Sequence, residues 1–321
     1  MDEARTRGRF APSPTGHLHL GNARTALLAW LHARASGGMF VMRVEDLDFG
    51  RVRDEYRVSQ PHDLRWIGLD WDEGPDVGGP HTPYLQSRRT ELYEDAINRL
   101  RAKGLVYSCS CSRREIAAAA SAPHGVDDEG PPYPGSCRLR PLDPAAEDFA
   151  LRFRVPSRPV VVDDLIQGKH IFDPEKLSGD FVIRRRDGVA SYQLAVVVDD
   201  LMMEITHVVR GADLLPSAAR QMLLYQALDR EPPRWLHVPL MLDEAGERMA
   251  KREGSLTLGA IRERGVPPER LVGWLAWTCG LLEKPREVMP VDLVAGFDPA
   301  RIPPAGTPVT LPDWLTGRLG P

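Results

Sequence analysis

The sequence holds nothing close to eighteen consecutive apolar residues, which excludes a helix long and apolar enough to span a bilayer. Its first ten residues, MDEARTRGRF, contain no apolar core, so no secretory signal is expected there and a cytoplasmic location is. An excess of basic residues is also missing. The 41 lysines and arginines are outnumbered by 45 acidic residues, for a net charge of −4, so a nucleic-acid partner would have to be gripped by a local basic patch. Cysteine is scarce: four residues in a chain of cytosolic character are not a disulfide framework. No internal repeat is visible.

What remains has the pattern of an α/β protein with about two domains. Ala23, Leu27, Trp30 and Leu31 recur at helical spacing, and the helix should end before Ser36-Gly37-Gly38. MFVMRVED follows as a buried strand. The order strand, loop, helix, strand is a βαβ unit, whose ligands bind beyond the carboxyl ends of its strands. A helix is expected from Ser87 to Lys103, closed by Gly104. From Val106 to Arg186 the character changes to short alternating pieces (LRFRV, RPVVVDDLI) around a Pro/Gly-rich stretch, as in an inserted module. LAVVVDD, ITHVVRGAD and HVPLML then read as three further strands, with a helix opened by Pro216 between the last two. The expected division is a split catalytic domain (1–105 and 187–258), an insertion (106–186) and a short helical C-terminal region (259–321).

Three constellations carry chemistry. APSPTGHLHLGN, residues 11–22, leads into the first helix. A helix N-terminus offers free N–H groups and the positive end of its dipole to phosphate, and glycine allows close approach. No Walker lysine follows, and the dinucleotide G-x-G-x-x-G is absent. GERMAKREGS, residues 246–255, sets Lys251 between Arg248 and Arg252. Its two readings are a solvated charge run and a cationic lid over phosphate. The third is Cys109-x-Cys111, then twenty-one residues to Tyr133 and three more to Cys137. Three thiolates suit zinc and leave one of four places open. His124, Tyr133 and His170 are candidates for it by chemistry alone. Cys279, inside LVGWLAWTCGLL, reads as core. Arg184, Arg185 and Arg186 form a charge run that by itself says little.

Together the first two loops resemble the ATP-handling motifs of class I aminoacyl-tRNA synthetases. His19-Leu20-Gly21-Asn22 is similar to the family's His-Ile-Gly-His element, and Arg248-Met249-Ala250-Lys251-Arg252 to its Lys-Met-Ser-Lys-Ser element. RFAPSPTGHLHLGNARTALLAW, RVEDLD and SYQLAVVVDDLMMEITHVVRGADLL are close to the glutamyl branch, and the likeness runs from about residue 7 to 260. The departures are Asn22 for histidine, Arg248 for lysine, Ala250 for serine and Arg252 for serine. They put the rate of activation in question and leave a non-catalytic glutamate- or RNA-binding paralogue as a rival. Cys-x-Cys…Tyr-x-x-x-Cys and RGADLL resemble the shorter glutamyl-queuosine tRNA(Asp) synthetases, as does the span of only 66 residues after Ser255, too short for a helical anticodon-binding domain. A truncated glutamyl-tRNA synthetase charging tRNA(Glu) is the nearer alternative.

The resemblance implies a class I, Rossmann-like parallel sheet with an inserted zinc-containing, acceptor-type module. It implies glutamate, ATP with Mg²⁺, and queuosine-containing tRNA(Asp) as partners, one structural zinc per chain held by Cys109, Cys111, Tyr133 and Cys137, and a monomer. Glutamate would be bound by Arg9, Ala11, Ser13, Glu45, Tyr192 and Arg210. ATP would meet Pro12, His19, Gly21, Asn22, Arg248, Met249 and Lys251, with His19 and Lys251 at the reacting phosphate. His17 would be a neighbour or minor contact. Asp199 and Asp200 would end a strand, either facing the site or capping the strand.

Overall fold

The computed structural model describes residues 5–112, 114–116, 132–139, 149–243, 246, 249, 256–306 and 308–316. It begins with β1 (Arg7–Phe10), α1 (Leu20–Ala35) and β2 (Met39–Met42), the parallel βαβ unit expected from the sequence, with Arg9 opposite Val41. Next come α2 (Asp54–Trp66) and α3 (Thr90–Ala102), the latter ended by Gly104 at φ +71°. β3 (Val106–Cys109), β4 (Ala150–Phe153), β5 (Val160–Asp164), β6 (Gly168–Phe172), α4 (Pro174–Leu177) and β7 (Val182–Arg184) follow. The chain then runs through α5 (Tyr192–Met202), β8 (His207–Gly211), α6 (Leu215–Ala227), β9 (Arg234–Val238), α7 (Leu258–Glu263) and α8 (Pro268–Thr278).

β8 and β9 pair in parallel, β5 joins β9 in parallel, and β6 closes that sheet as an antiparallel hairpin partner of β5. The β5–β6 hairpin falls within the stretch that reads as an insertion, yet it hydrogen-bonds to β9 of the β8–β9 pair. β3, β4 and β7 form a separate antiparallel sheet. β1 lies alongside β8: Thr206 N–H donates to Arg7 O at 2.9 Å.

Alternation along the strands divides the core into two layers. Phe10, Phe40, Met42, Val209 and Leu236 face α1 and α8, whereas Val41, Val208 and Trp235 face α3, α5 and α6. The same alternation puts Arg9, Arg43, Arg210 and His237 on the second face, towards α5 and α6.

LAVVVDD, expected as a buried strand, is instead the body of α5. Ser191 Oγ accepts from Leu194 N–H and starts the helix. Residues 193–200 are all buried, so the helix shows no polar stripe, and a short apolar run of this kind reads alike in either state. The strand seen in HVPLML lies earlier, at 234–238, and stops at Pro239, which has no N–H for a ladder. Periodicity does not reveal α2, because it buries only Gln60, Asp63 and Leu64 and carries Pro61 inside it. Among the described residues no helix is long and apolar enough to cross a membrane.

Candidate active site

Residues 11–22 leave the carboxyl end of β1 and reach the N-terminus of α1. Backbone bonds tie the loop to its surroundings. Glu45 N–H donates to Pro12 O at 3.0 Å, Arg53 N–H to Pro14 O at 3.0 Å, and Leu258 N–H to Leu18 O at 2.8 Å. The Gln60 amide, from α2, donates to both Ser13 O (3.0 Å) and Gly16 O (2.8 Å). His19 is the residue before the first turn, and its N–H donates to Asn22 Oδ1 at 3.1 Å. Asn22 therefore has a structural task that the missing histidine of the motif would not perform in this way. Ser13, His17, His19, Gly21 and Asn22 are exposed. A Cβ on Gly16 or Gly21 would meet nothing within 4 Å, so packing within the protein does not demand glycine there. Partial burial, aided by His17, lowers the His19 pKa, leaving a neutral ring near pH 7. His17 itself packs edge-on against Tyr56, ring centroids 4.8 Å apart.

The second loop reaches the same place by its described flanks. Met249 N–H donates to Met241 O at 2.9 Å, and Thr257 forms a bridge with His19. Arg248, Ala250, Lys251 and Arg252 lie outside the described residues.

Beside the first loop is a buried charge cluster. Arg9, 5% exposed, sends Nε to Asp200 at 3.3 Å, the only hydrogen bond of its side chain to described residues. Arg43, fully buried, pairs with Asp200 at 2.7 Å, Glu45 at 3.1 Å and Asp199 at 3.7 Å. Arg89 donates to Asp199 at 2.6 Å. Burial raises the Asp200 pKa, but the two guanidiniums outweigh it and leave the carboxyl below its usual range. For Glu45 and Asp199 burial prevails and the pKa rises. Arg9, Arg43 and Arg89 are thus matched by Glu45, Asp199 and Asp200.

Arg210 is not matched. It is 5% exposed, and its bonds go to neutral groups: His237 Nε2 at 2.9 Å, Gln221 Oε1 at 2.9 Å and Leu214 O at 3.3 Å. Among the described residues no carboxylate lies within ion-pair distance of it. Burial and the neighbouring Arg9 lower its pKa. Tyr192 begins α5 and is 37% exposed, so it is a rim residue and not core packing. Burial of its hydroxyl raises its pKa, and Arg210, Glu45, Arg9 and Asp200 are all near enough to act on it. The structure therefore brings Arg9, Glu45, Tyr192 and Arg210 together, with Ala11 and Ser13 in the adjoining loop.

Sequence reasoning missed Gln60, Arg43 and His237 and left Asp200 unassigned. The available signals were a charged Arg43 within the otherwise apolar MFVMRV and two acids closing the apolar run LAVVVDD.

The cysteine cluster lies apart, on the β3–β4–β7 sheet. Cys109, Cys111 and Cys137 have their sulfurs within 4.8 Å of one another. Cys111 Sγ is 3.5 Å from Cys137 Sγ, and the Tyr133 hydroxyl is 3.4 Å from Cys109 Sγ and 3.7 Å from Cys111 Sγ. Gly179, at φ +60°, sits where a Cβ would strike the Tyr133 backbone. Burial raises the Cys137 thiol, but hydrogen bonds from Tyr133, Ser110 and the other cysteines bring it down to about 7. Burial, with the neighbouring sulfurs, pushes Cys111 up to about 11. His170 is elsewhere, its Nε2 3.1 Å from Gln167 O on the β5–β6 hairpin. His124 lies outside the described residues. Cys279 is buried in α8's layer of the core, as expected.

Residues 5–293 match the family of class I tRNA synthetases (E and Q), catalytic domain. The chain is 55% identical to a glutamyl-Q tRNA(Asp) synthetase of Symbiobacterium thermophilum, over 95% of either protein. It is 47% identical to the glutamyl-Q tRNA(Asp) synthetase of Nitratidesulfovibrio vulgaris, over 96% of this chain and 98% of that one. Its fold is similar to the crystal structure of a glutamate tRNA ligase from Elizabethkingia meningosepticum in complex with its amino acid. The TM-score is 0.84 at 31% identity, over 95% of this chain and 67% of the ligase. By the match over residues 5–293 and the identity to these relatives over nearly the whole length, the chain belongs to the class I tRNA synthetases of the glutamyl and glutaminyl type.

Proposed function

We propose that the protein activates glutamate with ATP and transfers the glutamyl group to queuosine in the anticodon of tRNA(Asp). The observation that carries the glutamate reading is Arg210, a buried guanidinium held only by neutral groups. A buried cation demands an anion, and Arg9 beside it can offer its two terminal nitrogens as well. A dicarboxylic amino acid fits: Arg9 and Arg210 take its side-chain carboxylate as charge-assisted pairs, and Glu45 takes its ammonium. Tyr192 and Ser13 supply hydroxyls, and Ala11 a backbone contact. The acceptor reading rests on the relatives that bear the glutamyl-Q tRNA(Asp) synthetase name and match over nearly their whole length.

In the first step the α-carboxylate oxygen attacks the α-phosphorus of ATP in line, and pyrophosphate leaves. Pro12, Gly21, Asn22 and Met249 would border the nucleotide, and His19 would donate to its phosphates from a neutral ring. Arg248 and Lys251 would stabilise the charge that grows on the transferred oxygens. Positioning accounts for the rest of the rate. Mg²⁺ would accompany ATP, held by the phosphates and water. In the second step a hydroxyl of queuosine's cyclopentene diol attacks the glutamyl carbonyl carbon and AMP leaves. Exposed anticodon bases are the usual targets of specific RNA recognition.

Cys109, Cys111, Tyr133 and Cys137 would hold a structural zinc. Tetrahedral Zn–S bonds of about 2.3 Å set neighbouring sulfurs about 3.8 Å apart; Cys111 and Cys137 are 3.5 Å apart and all three sulfurs lie within 4.8 Å of one another, with the Tyr133 hydroxyl 3.4 Å and 3.7 Å from Cys109 and Cys111. Transfer of radiolabelled glutamate to tRNA(Asp) with and without queuosine, alongside tRNA(Glu), tests the reading. Label confined to queuosine-containing tRNA(Asp) is expected. Label on tRNA(Glu) would instead identify a truncated synthetase. Label on neither, without ATP–pyrophosphate exchange, would identify a non-catalytic paralogue.

A further inference from the structure

Arg210 and His237 are register partners on the parallel strands β8 and β9. Arg210 Nε–H donates to His237 Nε2 at 2.9 Å. That bond requires an unprotonated Nε2, so the ring proton must sit on Nδ1. Nδ1 is 2.6 Å from Asp164 Oδ2, and neither side chain has any exposed surface. Asp164, at the end of β5, is itself fixed. Its Oδ1 accepts from Ile166 N–H at 3.0 Å and Gln167 N–H at 2.8 Å. On the other side of Arg210, Gln221 Oε1 accepts from Nη1, and the Gln221 amide donates on to Gln193 Oε1 at 3.0 Å. The guanidinium is therefore gripped on two sides by neutral acceptors whose own orientation is dictated from behind.

We propose that His237 is a positioning residue for glutamate: Asp164 fixes it as the neutral Nδ1–H tautomer, and in that form it aligns the Arg210 guanidinium without neutralising it. A carboxylate in direct contact with Arg210 would align the group equally well but would compete with the substrate carboxylate for its charge. Inserting an imidazole keeps the negative charge of Asp164 one ring away. The two charged groups facing the imidazole are Asp164 and Arg210; burial and Arg210 outweigh Asp164 and keep it neutral. The inference deepens the proposed glutamate pocket and rests on that reading.

D164N gives the sharpest test. The introduced amide must keep its oxygen towards the Ile166, Gln167 and His237 N–H groups that Oδ1 now accepts from, so its NH₂ faces His237 Nδ1 and gives up the second bond from the His237 N–H, which Oδ2 accepts at 3.0 Å. The ring then has to carry its proton on Nε2, opposite the Arg210 Nε–H, and two donors confront each other. L-glutamate and ATP would be titrated calorimetrically, in separate experiments, into the full chain and its D164N, H237L, H237N and R210M variants. Imidazole ¹⁵N–¹H correlation spectra would report the tautomer. D164N and H237L should weaken glutamate at least tenfold with ATP affinity within twofold of wild type. H237N, whose amide can accept from Arg210 and donate to Asp164, should stay within about threefold. The D164N spectrum should show the proton moved to Nε2.

Glutamate affinity unchanged in D164N and H237L, with R210M impaired, would overturn the role of His237 and leave the pocket standing. H237N as impaired as H237L would also overturn it, by tracing the effect to packing. Wild-type glutamate affinity in R210M would overturn the pocket itself. If H237L does not fold, D164N and H237N carry the test.

Discussion

Replacing Arg210 by methionine separates substrate recognition from structural support. Methionine keeps most of the length and apolar stem and removes the guanidinium. Within the protein the loss is modest. Three hydrogen bonds to neutral acceptors disappear, each worth about 1 kcal/mol. Relief of the burial cost that lowers the Arg210 pKa offsets part of that. The net change should be on the order of 1 kcal/mol, or about 2–4 °C in melting midpoint for a chain of a few hundred residues. Against substrate the loss is larger. A glutamate side-chain carboxylate placed in this pocket without its partner is a broken buried ion pair, at about 3–5 kcal/mol. Arg9 can recover some of that, so the lower end applies, about 100-fold in kcat/KM for glutamate at roughly 1.4 kcal/mol per tenfold. KM for ATP should move by less than about threefold, since Arg210 lies on β8 and the loop proposed to hold the nucleotide follows β1. Initial rates of glutamate transfer with each substrate varied in turn, alongside a thermal melt, measure all three quantities. A kcat/KM for glutamate within fivefold of wild type would refute the pocket. An equal rise in both KM values with a collapsed melt would refute the separation of roles.

Other parts of the molecule give further expectations. Q60A removes two hydrogen bonds to loop carbonyls and should raise KM for ATP about five- to tenfold, from about 1 kcal/mol or slightly more of lost loop order; an unchanged KM would show that α2 does not steady the loop. Metal analysis of pure protein should find about one zinc per chain, as a single four-donor site requires, and C137S should lose it; absence of zinc after metal-replete expression would remove the site. His32, beside His207 at 4.9 Å between ring centroids, is pushed down to about 4 by burial and then by His207. Its folded pKa lies below the unfolded value near 6.5, so its contribution to stability is complete above pH 6.5 and is lost as pH falls towards 4. At about 1.4 kcal/mol per unit, and discounted for partial exposure, the loss approaches about 3 kcal/mol. Melts between pH 7 and 5 should show the decline, and H32Q should flatten it; an equal slope in H32Q would assign the decline to other groups.

The elements that the sequence made legible are those whose signals are local. The βαβ opening shows in the spacing of Ala23, Leu27 and Leu31 and in the punctuation at Ser36-Gly37-Gly38, and it is present as α1 and β2. The loop at 11–22 is legible because its prolines, glycines and histidines are adjacent in the chain. α5 reads as a strand for a physical reason. Its residues 193–200 are buried on every side, so the polar face that betrays a helix is missing. That error travels into the site: with LAVVVDD as a strand, Asp199 and Asp200 become strand-end acids without a role. As the last turns of a helix they sit at its negative end, where acids are disfavoured unless paired. The pairing partners are Arg9, Arg43 and Arg89.

Those partners could not be read from spacing. Arg9 and Asp200 are 191 positions apart, and Arg43 and Asp200 are 157 apart. No periodicity links two residues that meet only because β1, β2 and α5 pack together. What spacing can report is the anomaly each leaves behind: an arginine among MFVM and VED, and two acids closing an apolar run. Each anomaly read alone supports a surface turn as well as a site. Considered together, an unexplained cation in a buried strand calls for an unexplained anion in another buried segment. In this chain the structure joins Arg43 to Asp199 and Asp200 in that way. Arg210, in HVVRG, is the buried cation that the structure leaves with neutral partners only, which is why the proposed pocket places the substrate carboxylate there.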